Sequence, residues 1–182
     1  MSPADQYPPA LRELLGRLPL APLGPGLPDQ ALKSKLDAAL EGPVVDGDMA
    51  VACRAALFLG SNFLDESHNL SQGLHTVEGS YWHALMHRRE PDFANAKYWF
   101  RRVGRHPVFE GLASAAAQLA ASSAEDRPTF LTGQSAWDPF AFVDECEAAL
   151  GQGSPAEMLC RQIQQREWEI LFAYCYQRAF ND

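Results

Sequence analysis

Apolar positions recur three and four residues apart over most of the chain, the spacing that lines one face of a helix, and nowhere settle into the two-residue alternation of a half-buried strand. The C-terminal stretch is clearest. Leu159, Ile163, Ile170, Leu171, Tyr174 and Cys175 share one helical face, and Ser154-Pro155-Ala156-Glu157 ahead of them reads as a capping box with proline at the first helical position. Run to Phe180, such a helix is about 39 Å long at 1.5 Å per residue, enough to span the whole domain.

Further helices follow from the same signals. Asp29 is an N-cap candidate for a helix through Leu32, Leu36, Ala39 and Leu40, and a second runs over residues 48–59 with Gly60 as its stop. Thr76 caps a helix to about Glu90, ended by Pro91; Phe93, Ala96, Phe100 and Val103 mark the next, ended by Gly104. Pro107 suits the first turn of an alanine-rich helix over residues 108–122, and Asp138-Pro139 opens another that stops at Gly151. Residues 62–72 fit either a helix or an irregular connection, and residues 123–137 read as loop.

The fold class expected is all-α: a single compact multi-helix domain over residues 28–182. Residues 1–27 form a proline-rich N-terminal segment that packs on the domain. Seven of the thirteen prolines fall in the first 28 residues, which restricts that segment to a short helix near residues 10–18 and extended connections. Hydrophobic residues make up 47% of the 182 and charged residues 21%, ordinary values for a globular chain. No apolar run approaches the roughly 20 residues that cross a bilayer, and the N-terminus lacks a basic patch followed by an apolar stretch, so the expectations are no membrane partner and a cytoplasmic location. Cys53, Cys146, Cys160 and Cys175 form no C-x-x-C pair and read as buried reduced thiols.

All five histidines lie between His68 and His106, in a segment that mixes histidine, arginine, carboxylates and aromatic rings. His83 and His87 are four apart and Glu90 three further on, so the three project from one helical face. Two imidazoles at that spacing can grip a divalent metal ion, with Glu90 as ligand or orienting partner and His68 as a third histidine from an adjoining segment. Asp65, Glu66 and His75 are alternative completing groups. The spacing is not H-E-x-x-H, because Ala84 and Leu85 follow His83. The same His68, His83, His87 and Glu90 could instead act without metal as general acids and bases, or fill a polar core as a structural network.

The net charge of −8 hides an asymmetry. Residues 88–105 carry +4 and the remainder −12, which places a local anion site inside an acidic protein. Arg88, Arg101 and Arg102 are the candidate anion contacts, since the guanidinium fork suits carboxylate or phosphate; pairing of the arginines with Glu90 and Asp92 is the competing reading. Tyr81-Trp82 and Tyr98-Trp99 recur in two consecutive helices, mostly as core, with Trp82 and Tyr98 as candidate ligand-stacking rings. The acidic remainder argues against nucleic acid as a partner. No G-x-S-x-G elbow presents Ser67 or Ser80 as a nucleophile.

The run SYWHALMHRREPDFANAKYWFRRVGRHPVF resembles a signature of uncharacterised bacterial and fungal hypothetical proteins and covers about a sixth of the chain. The resemblance implies that the stretch acts as a unit and carries over no activity. The function expected from the residues is a small helical enzyme acting on a small anionic molecule by metal-assisted or histidine acid–base chemistry. A non-catalytic module for an anionic metabolite or acidic partner, and a purely structural helical domain, are the alternatives.

Overall fold

Side chains that cap helix starts set most of the architecture. Asp29 accepts from the Ala31 N–H, Thr76 from Gly79, Asp92 from Asn95, Asp138 from Phe140 and Ala141, and Ser154 from Glu157. Each supplies one of the acceptors that a helix N-terminus lacks. The computed structural model describes residues 6–40, 42–122 and 136–181, and among them contains nine α-helices and no strand. In chain order these are α1 (Pro9–Leu15), α2 (Lys33–Ala38), α3 (Gly47–Gly60), α4 (Leu64–Gln72), α5 (Val77–Arg89), α6 (Phe93–Val103), α7 (Val108–Ser122), α8 (Pro139–Ala149) and α9 (Pro155–Phe180). The all-α expectation is met. Most of the expected loop over residues 123–137 lies outside the described residues.

The differences from the sequence pattern are local and have local causes. The first helix stops at Leu15, because Gly16 caps it and Pro19 follows three residues later. The helix expected from Asp29 begins as a 3-10 turn, Gln30–Leu32, before α2. Helix α3 begins at Gly47, one residue before the expected start, because Asp46 caps it by accepting from the Asp48 and Met49 N–H groups. The ambiguous residues 62–72 contain helix α4, entered through Asn62 at a positive φ of 65°. Glu157 modifies the expected capping box: its carboxylate accepts from the Gly153 N–H rather than from Ser154.

Helix α9 is the pillar between two apolar clusters. Its first half gives Leu159, Cys160 and Ile163 to a smaller core with α7, α8 and Leu23. Its second half gives Trp168, Leu171, Phe172 and Cys175 to a larger core with α3, α5 and the N-terminal helix. All four cysteines are buried and unbridged. Residues 18–27 lie along α9 and α5, tied by backbone carbonyls: Arg161 donates to Leu20 and Ala21, Gln164 to Pro22, Arg89 to Gly24, and Asn62 to Leu27. No helix among the described residues is long and apolar enough to cross a membrane.

Helix α5 lies in the middle, packed against α4, α6 and α3, and every residue from Glu78 to Arg89 is buried. A helix surrounded on all sides is ordinarily apolar all round. This one instead carries Glu78, Ser80, His83, His87, Arg88 and Arg89 into the interior. Each such group is costly unless it finds a partner, so the elements around α5 must supply them. Gly79 sets how closely the α4–α5 turn approaches: a Cβ there would stand 2.4 Å from the Leu74 Cβ and 2.7 Å from its carbonyl oxygen.

Candidate metal centre on helices α4 and α5

His83 and His87, one turn apart on α5, face His68 on α4. The ring centroids are 4.6 Å apart for His83 and His87, 4.7 Å for His68 and His83, and 5.4 Å for His68 and His87. One nitrogen from each of the three falls within 4.8 Å of the others. Nitrogens in a tetrahedral site with bonds of about 2.1 Å are roughly 3.4 Å apart, so small side-chain rotations would close this group around an ion. Sequence spacing singled out His83 and His87, and His68 was one of four candidates to complete the group.

Neighbours fix how the rings present their lone pairs. The Ser71 hydroxyl directs its one proton to the Ser67 carbonyl at 2.8 Å, so at 3.0 Å it accepts from His83 Nδ1–H and leaves Nε2 with the lone pair. His87 Nδ1 lies 3.3 Å from Glu90 Oε2 and 4.0 Å from Asp92 Oδ2, a carboxylate–imidazole contact that turns the other nitrogen outward as a base. The Asn95 side-chain nitrogen meets that second nitrogen, Nε2, at 3.1 Å. On the far side the Trp99 ring covers His83 at 4.2 Å between centroids, and the Arg102 guanidinium lies over the outer part of Trp99 at 5.1 Å.

Burial disfavours the charged form of His83 and His87. Burial first, then the neighbouring His87 and His68, push the His83 pKa down to about 3. His87 is also lowered, by burial first, against the opposing pull of Glu90. Neutral imidazole is the ligating form, so His83 and His87 would meet a metal ion without first losing a charge.

Other expected site residues go elsewhere. Arg88 does not face the histidine group: it is fully buried on the side of α5 facing α9, where its Nη2 donates to Glu167 at 2.5 Å and its guanidinium stacks over Phe142 at 4.7 Å. Burial disfavours its charge, but Glu167 outweighs this and holds its pKa above the usual value. The expected pairing of arginines with Glu90 and Asp92 is likewise absent among the described contacts. Trp82 is a core ring, wholly buried and 6.2 Å from Trp168, with no outer face for a ligand. Tyr98 is 47% exposed and meets Trp99 edge-on, with Arg101 over its ring at 5.9 Å, outside the histidine group. Glu66 pairs with Lys33, Asp65 lines a shallow groove beside Pro25 and Pro28, and His75 is exposed, so none of the three completes the cluster.

His106 belongs to a separate contact. Its Nδ1 accepts from the Val108 N–H at the start of α7, and its Nε2 faces Glu78 at 3.7 Å. That partner lowers the Glu78 pKa against the effect of burial.

Ser71, Asn95 and Trp99 are the functional neighbours that the sequence did not single out. A signal existed: Asn95 and Trp99 are four apart on one face of α6, and Ser67 and Ser71 are four apart on α4 beside His68. Compared with known protein families, curated proteins and solved structures, the chain matches none.

Proposed function

We propose that His68, His83 and His87 hold one divalent transition-metal ion and that the protein is a small helical metalloenzyme acting on a small anionic substrate. The observation that carries this reading is the convergence of three histidine nitrogens within 4.8 Å from two separate helices. Three protein ligands leave coordination positions open, the arrangement that catalytic zinc sites use for water or substrate. Imidazole donors suit zinc, copper, iron or nickel better than magnesium or calcium.

Two features favour ligation over metal-free acid–base work. A general base is effective when its pKa lies near the working pH, and a value of about 3 makes His83 a poor one. Ser71 and Glu90 each engage the Nδ1 of one histidine, the outer contact by which metal-binding imidazoles are oriented. In the bound state Asn95 would turn from His87 Nε2 or present its amide oxygen to the ion. Arg102, exposed and stacked on Trp99, is the cation placed to draw an anionic substrate toward the site.

Elemental analysis of protein purified without a metal-affinity tag tests the reading. About one equivalent of metal should accompany wild-type protein and be lost from the His83→Ala/His87→Ala variant and from His68→Ala. Glu90→Gln should keep the fold and weaken metal affinity by about 10–100-fold. Wild-type protein that remains metal-free after incubation with zinc, cobalt, iron and manganese salts would overturn the proposal.

A further inference from the structure

Across α5 from the histidines, the buried charges do not balance. Arg88 is completely buried and Arg89 is 2% exposed, yet the buried carboxylate beside them is Glu167 alone, which also accepts from the Tyr81 hydroxyl at 2.9 Å. Arg89 makes no ion pair with a described residue; its guanidinium is held by two neutral oxygens, the Gly24 carbonyl at 3.0 Å and Asn62 Oδ1 at 2.6 Å. Arg161 adds a third positive charge nearby and likewise rests on carbonyls, those of Leu20 and Ala21.

Hydrogen bonding is also incomplete at the same place. Arg88 Nε and Nη1 are buried donors, and Gln164 Oε1 a buried acceptor, without a partner among the described residues. A cavity of about 20 Å³ is lined by Arg88, Arg89, Gln164, Leu59, Gly60 and Trp168. It has room for one water or one monatomic ion and none for an organic ligand. Its walls are buried, and the half-buried Gln165 stands at its edge.

We propose that this cavity is a structural site for a small monovalent anion of the halide class, chloride in practice, held between Arg88 and Arg89. A water molecule would satisfy one or two donors but would leave the second buried guanidinium without a counter-charge, and uncompensated buried charge is what a protein interior tolerates least. An anion answers both deficits with one particle. This site is separate from the histidine group, lies on the opposite side of α5, and stands whether or not a metal binds there.

Crystals of the wild-type protein soaked in sodium bromide would show an anomalous peak in the cavity between the two guanidinium groups. In solution, chloride or bromide would raise the melting temperature saturably, by about 2–4 °C over sodium gluconate at equal ionic strength. Arg89→Met should abolish that halide-specific increment. If the variant does not fold, the wild-type bromide and melting measurements decide the matter alone. Cavity density without anomalous signal at saturating bromide, together with equal melting temperatures in chloride and gluconate, would assign the space to water and overturn the proposal.

Discussion

The two sides of helix α5 bury polar groups in opposite ways. Toward α9, Arg88 and Tyr81 converge on Glu167, so a fixed positive charge meets a fixed negative one within the core. Toward α4 and α6, His68, His83 and His87 converge on one another; burial disfavours the charged form of His83 and His87, whose Nδ1 atoms meet Ser71 and Glu90. The first side has a partner for its charge inside the protein and works as structure. On the second, one nitrogen from each of three histidines lies within 4.8 Å of the others. One helix thus buries two sets of polar groups on two faces, a charged pair on one and a histidine group on the other.

Removing the charged partner should have the largest effect. Glu167→Ala leaves Arg88 buried without a carboxylate and should cost about 3–5 kcal/mol in chemical denaturation. His83→Ala removes a neutral side chain from a polar site and should cost far less while eliminating metal. Equal losses in the two variants would break the comparison.

Gly79→Ala tests whether close approach of the α4–α5 turn registers His68 against His83. The added methyl collides with the Leu74 backbone carbonyl and Cβ, so a loss of about 1–3 kcal/mol is expected, accompanied by weaker metal binding. Unchanged metal affinity in a folded Gly79→Ala protein would show that the histidines are positioned by other contacts.

Acid titration of the metal-free protein comes next in size. The unfolded chain protonates His83 near pH 6.5, whereas the folded protein resists until about pH 3. The unfolded state therefore binds more protons in this window, and stability is fully present above pH 6.5 and falls as the pH is lowered. One such group contributes a slope of at most about 1.4 kcal/mol per pH unit. Denaturation midpoints measured from pH 7 to 5 should decline in wild type and decline less in His83→Ala.

The smallest stability effect is expected at Arg102. Exposed and stacked on Trp99, it should change stability by no more than about 0.5 kcal/mol when replaced by alanine. The same variant should bind small anions more weakly in its metal-loaded form, measured by competition with inorganic phosphate. A large drop in melting temperature would instead make Arg102 part of the core scaffold.

Much of the fold was legible in residue order. The caps at Asp29, Thr76, Asp138 and Ser154 act within three residues, and glycine and proline stops are equally local. The long α9 declared itself by its apolar stripe. The histidine pair was visible for the same reason, since a spacing of four on a helix fixes a shared face before any tertiary contact forms. His68 was nameable as a candidate because few other histidines were available, although its approach to His83 depends on how α4 turns back on α5.

What the sequence by itself determined is the helical class, most helix boundaries and the presence of a histidine face on α5. Only the tertiary structure decided which polar residues serve it. Arg88 and His87 are adjacent in sequence, and about 100° of helical rotation sends one toward Glu167 and the other toward Glu90. Which carboxylate each would meet is set by helices 70 or more residues apart for the first and by a local turn for the second. Trp82 and Trp99 likewise look alike in sequence, yet packing against α9 buries one in the core and leaves the other beside the histidines. Local rules fix the direction of a side chain relative to its own helix; what waits in that direction is decided by the packing of the rest of the chain.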